Sequence, residues 1–189
     1  TNFIGGGRTL VLGHATADAT LDWQQPISMN GGARTVEVGD GSAEIDAVMS
    51  GLINGGTAGA GGAPGNSPFN KTGEGTLAFT AQNIYNGDTI VTAGTLMIGN
   101  GGTTGGVSQN STNIIVDSGA TLAVNRSDTV TQGSNALKAA ISGDGDFSQI
   151  GSGTTILTLA NSYTGGTAIS GGTLRLSGSG TPGAAGSTV

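Results

Sequence analysis

Apolar and polar residues alternate one for one over short stretches of this chain, the period of a β-strand with one side turned to a core. Leu77, Phe79 and Ala81 share a side in one such stretch, and Thr155, Leu157 and Leu159 do so in another. After a Gly-Thr turn the alternation resumes with Leu96 and Ile98, and again with Leu174 and Leu176. Met97 and Arg175, lying between them, are therefore predicted to face outward. Residues 8–12, 20–23, 35–38 and 43–49 read as further strands, each short and bounded by Gly, Asn or Asp. Residues 113–124, NIIVDSGATLAV, read as one more rung: strand, small turn, strand.

These strands recur as a unit. Residues 73–98 align without a gap on residues 151–176, an offset of 78, with eleven of 26 positions identical. The copies share Gly-x-Gly-Thr openings at Gly73 and Gly75, and at Gly151 and Gly153. The centre of the first is Asn83, Tyr85, Gly87 and Thr89, and that of the second is Asn161, Tyr163, Gly165 and Thr167. Each closes on Gly-Thr-Leu, with Gly94 and Leu96 matched by Gly172 and Leu174. The passage into the copies also recurs, Val48-Met49-Ser50-Gly51 before the first resembling Ala140-Ile141-Ser142-Gly143 before the second.

A unit returning at a fixed offset marks a solenoid, in which each turn of chain covers the next. A β-sandwich would explain the strands but not the offset. The expected fold is all-β, a single β-solenoid segment over residues 1–189 with repeat copies at 71–101 and 149–179. At roughly 20 to 25 residues per turn it has about eight rungs. Composition agrees, since 38 of the 189 residues are glycine and each internal glycine costs a helix about 1 kcal/mol. Aromatic residues are only 4%, so a core must come from small and branched side chains stacked in layers. Three Gly-rich stretches, 54–67, 99–112 and 177–187, are expected to leave the rod as loops. The second and third follow the same point of their repeats, which predicts that they project from one edge.

The run Lys71-Thr72-Gly73-Glu74-Gly75-Thr76-Leu77, with Asn-x-Tyr-x-Gly-x-Thr and Gly-Thr-Leu after it, closely resembles the autotransporter-associated β-strand repeat, also called the passenger-associated transport repeat. That resemblance implies a right-handed parallel β-helix in the secreted passenger of a bacterial surface protein. Separately, Ser187-Thr188-Val189 reads as the start of another strand, so this chain is expected to be an interior section of something longer. The resemblance also implies a structural or adhesive stalk at the cell surface, and it gives the absence of cysteine a reason, since such passengers cross the outer membrane unfolded. Expected partners are neighbouring rungs or end-to-end copies in a filament, and host-cell or surface receptors reached through the Gly-rich loops.

Twelve acidic and six basic residues give a net charge of −6. Arg8, Arg34, Lys71, Arg126, Lys138 and Arg175 are scattered singly, which argues against nucleic acid and predicts solvated surface charges. No apolar run approaches the length of about 20 residues that spans a bilayer as a helix. Asp144 and Asp146, in Gly-Asp-Gly-Asp, are weak calcium candidates and otherwise belong to a solvated turn. Asp40, Glu44 and Asp46 form a second acidic group of the kind that acts on polysaccharide in β-helix enzymes, but only Trp23 and two tyrosines offer sugar platforms. His14 is the single histidine and reads as a surface residue. Gly178, Gly180 and Gly183 fit a dinucleotide fingerprint by spacing, without the helix that fingerprint requires. The expectation is therefore no enzyme, no cofactor and no metal.

Overall fold

The computed structural model of the chain describes residues 2–3, 8–55 and 67–184. Among them every regular element is a short strand and every strand pairing is parallel. The first part of the chain holds β1 (Asn2–Phe3), β2 (Thr9–Leu12), β3 (Leu21–Trp23), β4 (Ile27–Ser28), β5 (Arg34–Val38), β6 (Ala47–Met49) and β7 (Ile53–Asn54). The middle holds β8 (Phe69–Thr72), β9 (Thr76–Phe79), β10 (Thr89–Val91), β11 (Thr95–Ile98), β12 (Ile114–Val116) and β13 (Thr121–Val124). The last part holds β14 (Thr129–Thr131), β15 (Ile141–Ser142), β16 (Asp146–Gln149), β17 (Thr154–Leu157), β18 (Thr167–Ile169) and β19 (Thr173–Leu176).

Four sheets result. Face one stacks β2, β5, β8, β10, β12 and β15, and face two stacks β3, β6, β9, β11, β13, β16 and β18. Face three holds β1, β4 and β7, and face four holds β14, β17 and β19. The chain visits faces in rotation, so β5, β6 and β7 lie on faces one, two and three before β8 returns to cover β5. Parallel neighbours reached only after a full circuit make a coil, the arrangement the repeat predicted. Circuits differ in length. Leu77 to Leu96 and Thr154 to Thr173, both inside the repeats, are 19 residues, whereas Arg34 to Phe69 is 35.

Alternation decides what fills the coil. Leu77, Leu96, Leu122 and Phe147 lie in register on successive strands of face two and are fully buried, as are Phe79 and Ile98 two residues further along. Met97 points the other way, as predicted, but is not exposed. It lies between Ala78 and Ala123 in the outer row, and with Val48 these form a second apolar cluster against which Ile45 and Ile150 pack. Arg175, its counterpart in the second copy, is exposed.

The two copies occupy different faces. In the first copy, β8 and β10 are on face one and β9 and β11 on face two. In the second, the equivalent β16 and β18 are on face two and β17 and β19 on face four, so the motif has advanced by one face. The step falls in the circuit where β14 opens face four before the chain returns to face one at β15.

Three expectations change as a result. The segment Val48-Met49 lies on face two and Ile141 on face one, so they are not equivalent. The true counterpart of Ile141 is Ile53, because each donates its backbone N–H to a repeat asparagine. The stretches after β11 and β19 leave from different faces and not from one edge. Of residues 99–112 only the first part protrudes. Gly105, Gly106, Val107, Ser108 and Ser111 are buried, and Gln109 N–H donates to Asn83 O (3.1 Å), so the chain re-enters the stack above the first copy. In the last Gly-rich stretch Ser177 and Thr181 bond to Leu157 O and Leu159 O on the coil below. Its residues 185–187, like residues 56–66 of the first stretch, lie outside those described.

Leu96→Ala removes a side chain closed in by the coils above and below and is expected to cost about 2 to 5 kcal/mol. Val11→Ala, at a position 60% exposed, is expected to be near neutral. Chemical unfolding of the two variants checks this, and equal losses would contradict the assigned inward and outward columns.

Candidate functional site: the repeat corner

In each repeat the chain must turn from one circuit into the next while backbone groups at the corner lose their sheet partners, and asparagine meets that demand. Its short amide carries both an acceptor and donors. Asn83 is buried, its Oδ1 accepting from Ile53 N–H (3.0 Å) on the coil below and its Nδ2 donating to Gly106 O (3.0 Å) on the coil above. Asn161 does the same. Its Oδ1 accepts from Ile141 N–H (2.9 Å), and its Nδ2 donates to Thr181 O (2.8 Å). One side chain thus ties three successive levels together. Gln132, from the inserted coil, adds a bond from its Nε2 to Asn161 Oδ1 (2.6 Å).

Tyrosine and threonine fill the space beside it. The Tyr85 hydroxyl lies 2.7 Å from Thr89 Oγ1, and the Tyr163 hydroxyl 2.6 Å from Thr167 Oγ1. The threonines reach upward, Thr89 Oγ1 pairing with Ser111 Oγ (3.1 Å) and Thr167 Oγ1 donating to Pro182 O (2.8 Å). Burial raises the pKa of both tyrosines, so the hydroxyls stay protonated. The rings pack on Phe69 and Phe147, centroids 5.7 and 6.3 Å apart, and not on each other. Those phenylalanines are equivalent and lie four residues ahead of the aligned block. Extending the alignment upstream to Phe-Asn-Lys-Thr and Phe-Ser-Gln-Ile would have found them.

Turns between strands bring coils into backbone contact. Gly94 (φ 63°) and Gly172 (φ 58°) adopt a left-handed conformation, and a Cβ there would lie 2.5 Å from Glu74 O and 2.1 Å from Gly153 O. Gly73, Gly75, Gly151 and Gly153 line the preceding turns of their copies, and Gly87 and Gly165 follow the tyrosines. Leu96 is fully buried, while Leu174 is half-buried against the core.

The basic residues are a correction. Arg34, Lys71 and Arg126 are not solvated but 2%, 0% and 9% exposed. Lys71 sits in the inward column between Val36 and Val91, and its Nζ donates to the carbonyls of Thr72 (3.3 Å), Gly73 and Ala93 (2.9 Å). Burial lowers its pKa to about 8, against the opposing pull of Glu74, Asp46 and Asp40. Gln149 holds the same place in the second copy without charge, its Nε2 donating to Gly151 O (2.8 Å) and its Oε1 accepting from Thr155 (2.5 Å). Arg126 pairs with both carboxylate oxygens of Asp128 (2.8 and 2.6 Å) and donates to Gly105 O (2.5 Å) and Thr103 O, clamping the protruding stretch.

The acidic candidates do not converge. Asp46 is buried and accepts from the N–H groups of Gly41 (2.6 Å) and Thr76 (2.7 Å), while Asp40 and Glu44 are exposed. Asp144 accepts from Thr164 Oγ1 (2.8 Å) and Asp146 from Gly166 N–H (2.6 Å), so both bond to the next coil. No group of three or more metal-ligating side chains occurs among the described residues. His14 is exposed beside Thr16, and residues 178–183 turn without forming a helix.

Parallel strands in stacked circuits, joined at a repeated asparagine corner, define a β-solenoid repeat protein. The passenger-associated-transport-repeat family matches residues 69–98 and 147–176, the two stretches that carry this corner. Among curated proteins, the adhesin BmaC autotransporter of Brucella suis biovar 1 (strain 1330) is 42% identical over 167 residues, covering 75% of this chain and 5% of the relative. No solved structure matches the chain. The chain carries two passenger-associated transport repeats, and it spans about one twentieth of that relative's length.

Asn83→Ala strands Ile53 N–H and Gly106 O in the interior and is expected to cost about 2 to 5 kcal/mol, read from denaturant midpoints. Asn83→Asp keeps an acceptor for Ile53 N–H but sets a buried carboxylate oxygen against Gly106 O, so it is expected to recover none of that loss. A second expectation concerns pH. The folded chain releases the Lys71 proton near pH 8, whereas the unfolded chain holds it to about 10.5, so stability should rise across that window. Lys71→Gln, copying Gln149, should flatten the rise. An identical slope in both proteins would contradict the burial of this amine.

Proposed function

We propose that the chain is part of a surface-exported passenger, a right-handed β-helix of about eight rungs that serves as an adhesive stalk. The observation that carries this reading is the repeated corner, which spends its buried polar groups on joining one coil to the next. A coil closed in this way extends by about 4.8 Å per circuit, so its product is reach. The similar protein from Brucella suis is named an adhesin and an autotransporter, which supports the same role and a location at the bacterial surface. On this reading the chain is a section of a longer passenger, the residues of the two repeats are structural, and receptors are met through the exposed residues 100–104 of the second Gly-rich stretch. Asp144 and Asp146 serve as acceptors between rungs, and the chain performs no catalysis.

In-frame removal of this segment from its parent protein tests the role. Expected are continued display of the remainder at the cell surface, shown by antibody labelling of intact cells, and reduced attachment of those cells to host monolayers. Unchanged attachment with unchanged display would overturn it.

A further inference from the structure

The advance of one face leaves a defect that neither a stalk nor a repeat needs. Because β14 is the first strand of face four, it has a partner on one side only, β17. Thr154 N–H donates to Asp128 O (3.0 Å) and Gln132 N–H donates to Ile156 O (2.8 Å). In an extended strand the backbone groups of alternate residues point to opposite sides, so Asp128, Val130 and Gln132 serve β17 while Thr129 and Thr131 point away from it. Thr131 O accepts from Ser134 N–H (3.0 Å). That leaves Thr129 N–H, Thr129 O and Thr131 N–H without a partner among the described residues. Below the strand the chain is closed only as far as Ser127, whose N–H donates to Gly102 O (2.9 Å).

Beyond that point lies a cleft of about 360 Å³, lined by Gln82, Arg126, Thr129, Val130, Asn135 and Ala136. Gln82 bounds its far side by donating to Val107 O (3.1 Å) and Asn135 O (2.7 Å). Arg126 brings no net charge, since Asp128 pairs with it. The cleft therefore offers an unpaired strand edge, a small apolar floor at Val130 and Ala136, and neutral amide and hydroxyl groups at its rim.

We propose that the edge of β14 is a docking site for an extended, uncharged peptide segment of a partner protein, which adds as a strand beside Thr129 and Thr131. A peptide backbone is the ligand that supplies alternating donors and acceptors at strand spacing, and main-chain pairing of this kind gives affinity while the flanking cleft selects side chains. Open edges elsewhere in natural sheets are covered, twisted or charged to prevent such pairing, whereas this one faces a cleft of its own. The inference stands apart from the stalk reading, because a rod that carried no adhesive function would keep the same edge.

Amide hydrogen exchange of the full chain, read residue by residue by NMR, tests it with a capped Thr-Val-Thr-Val-Thr peptide as the probe. In the free chain Thr129 and Thr131 should exchange much faster than Val130 and Gln132. Saturating peptide should slow both by at least about tenfold. A peptide N-methylated at every residue, with no backbone donor left on either edge, should give no protection. Thr131→Pro, a change an edge strand tolerates, should abolish the effect while preserving the far-ultraviolet circular dichroism. The proposal is overturned if Thr129 and Thr131 are already protected in the free chain, if the peptide leaves their exchange unchanged, if the N-methylated peptide protects equally, or if glucose protects them in place of the peptide.

Discussion

A side-chain amide caught between three levels of backbone is the interaction on which this structure depends. Parallel sheets hold neighbouring circuits together along the faces, but at the corners the chain leaves the ladder, and buried N–H and C=O groups there must find partners. Asn83 and Asn161 supply them, each accepting from the coil below and donating to the coil above. The rest of the motif follows from where that amide must sit. Tyrosine fills the corner and threonine holds its hydroxyl, while glycine lets the turns of adjacent coils touch.

The same geometry explains how the motif can move round the axis without losing its form. Its contacts are made to the coils immediately below and above it and to no particular face. Ile53 on face three and Ile141 on face one serve the two asparagines alike. An inserted strand can then advance the second copy by one face, at the cost of an edge that begins unpaired at β14. Surface features tied to the motif turn with it, so Met97 is covered in the outer row of face two while Arg175 is exposed on face four.

Strand period and repeat were legible in the letters because both are local. Leu77 and Leu96 announce an inward column by alternation, and Gly94 and Gly172 announce turns. The one-face step was not legible, because circuits of 19 to 35 residues make an offset of 78 compatible with more than one phase. Nor was the burial of Lys71, although alternation places it on the same side as Phe69. What admits a lysine there is a cup of three carbonyls, which exists only when the turn after β8 stacks beside the turn before β11. Phe69 and Phe147 escaped because identity in the surrounding letters is low, and their pairing with tyrosine is visible only in space.

Residue-resolved hydrogen exchange at Ile53 and Ile141 tests the central role of the corner most directly, since their backbone N–H groups are held by side-chain amides. If the corners lock the coils, both amides exchange only through global unfolding, as slowly as the core amides of Leu77 and Leu96. Exchange at the rate of exposed turn amides such as Gly119 would contradict the account.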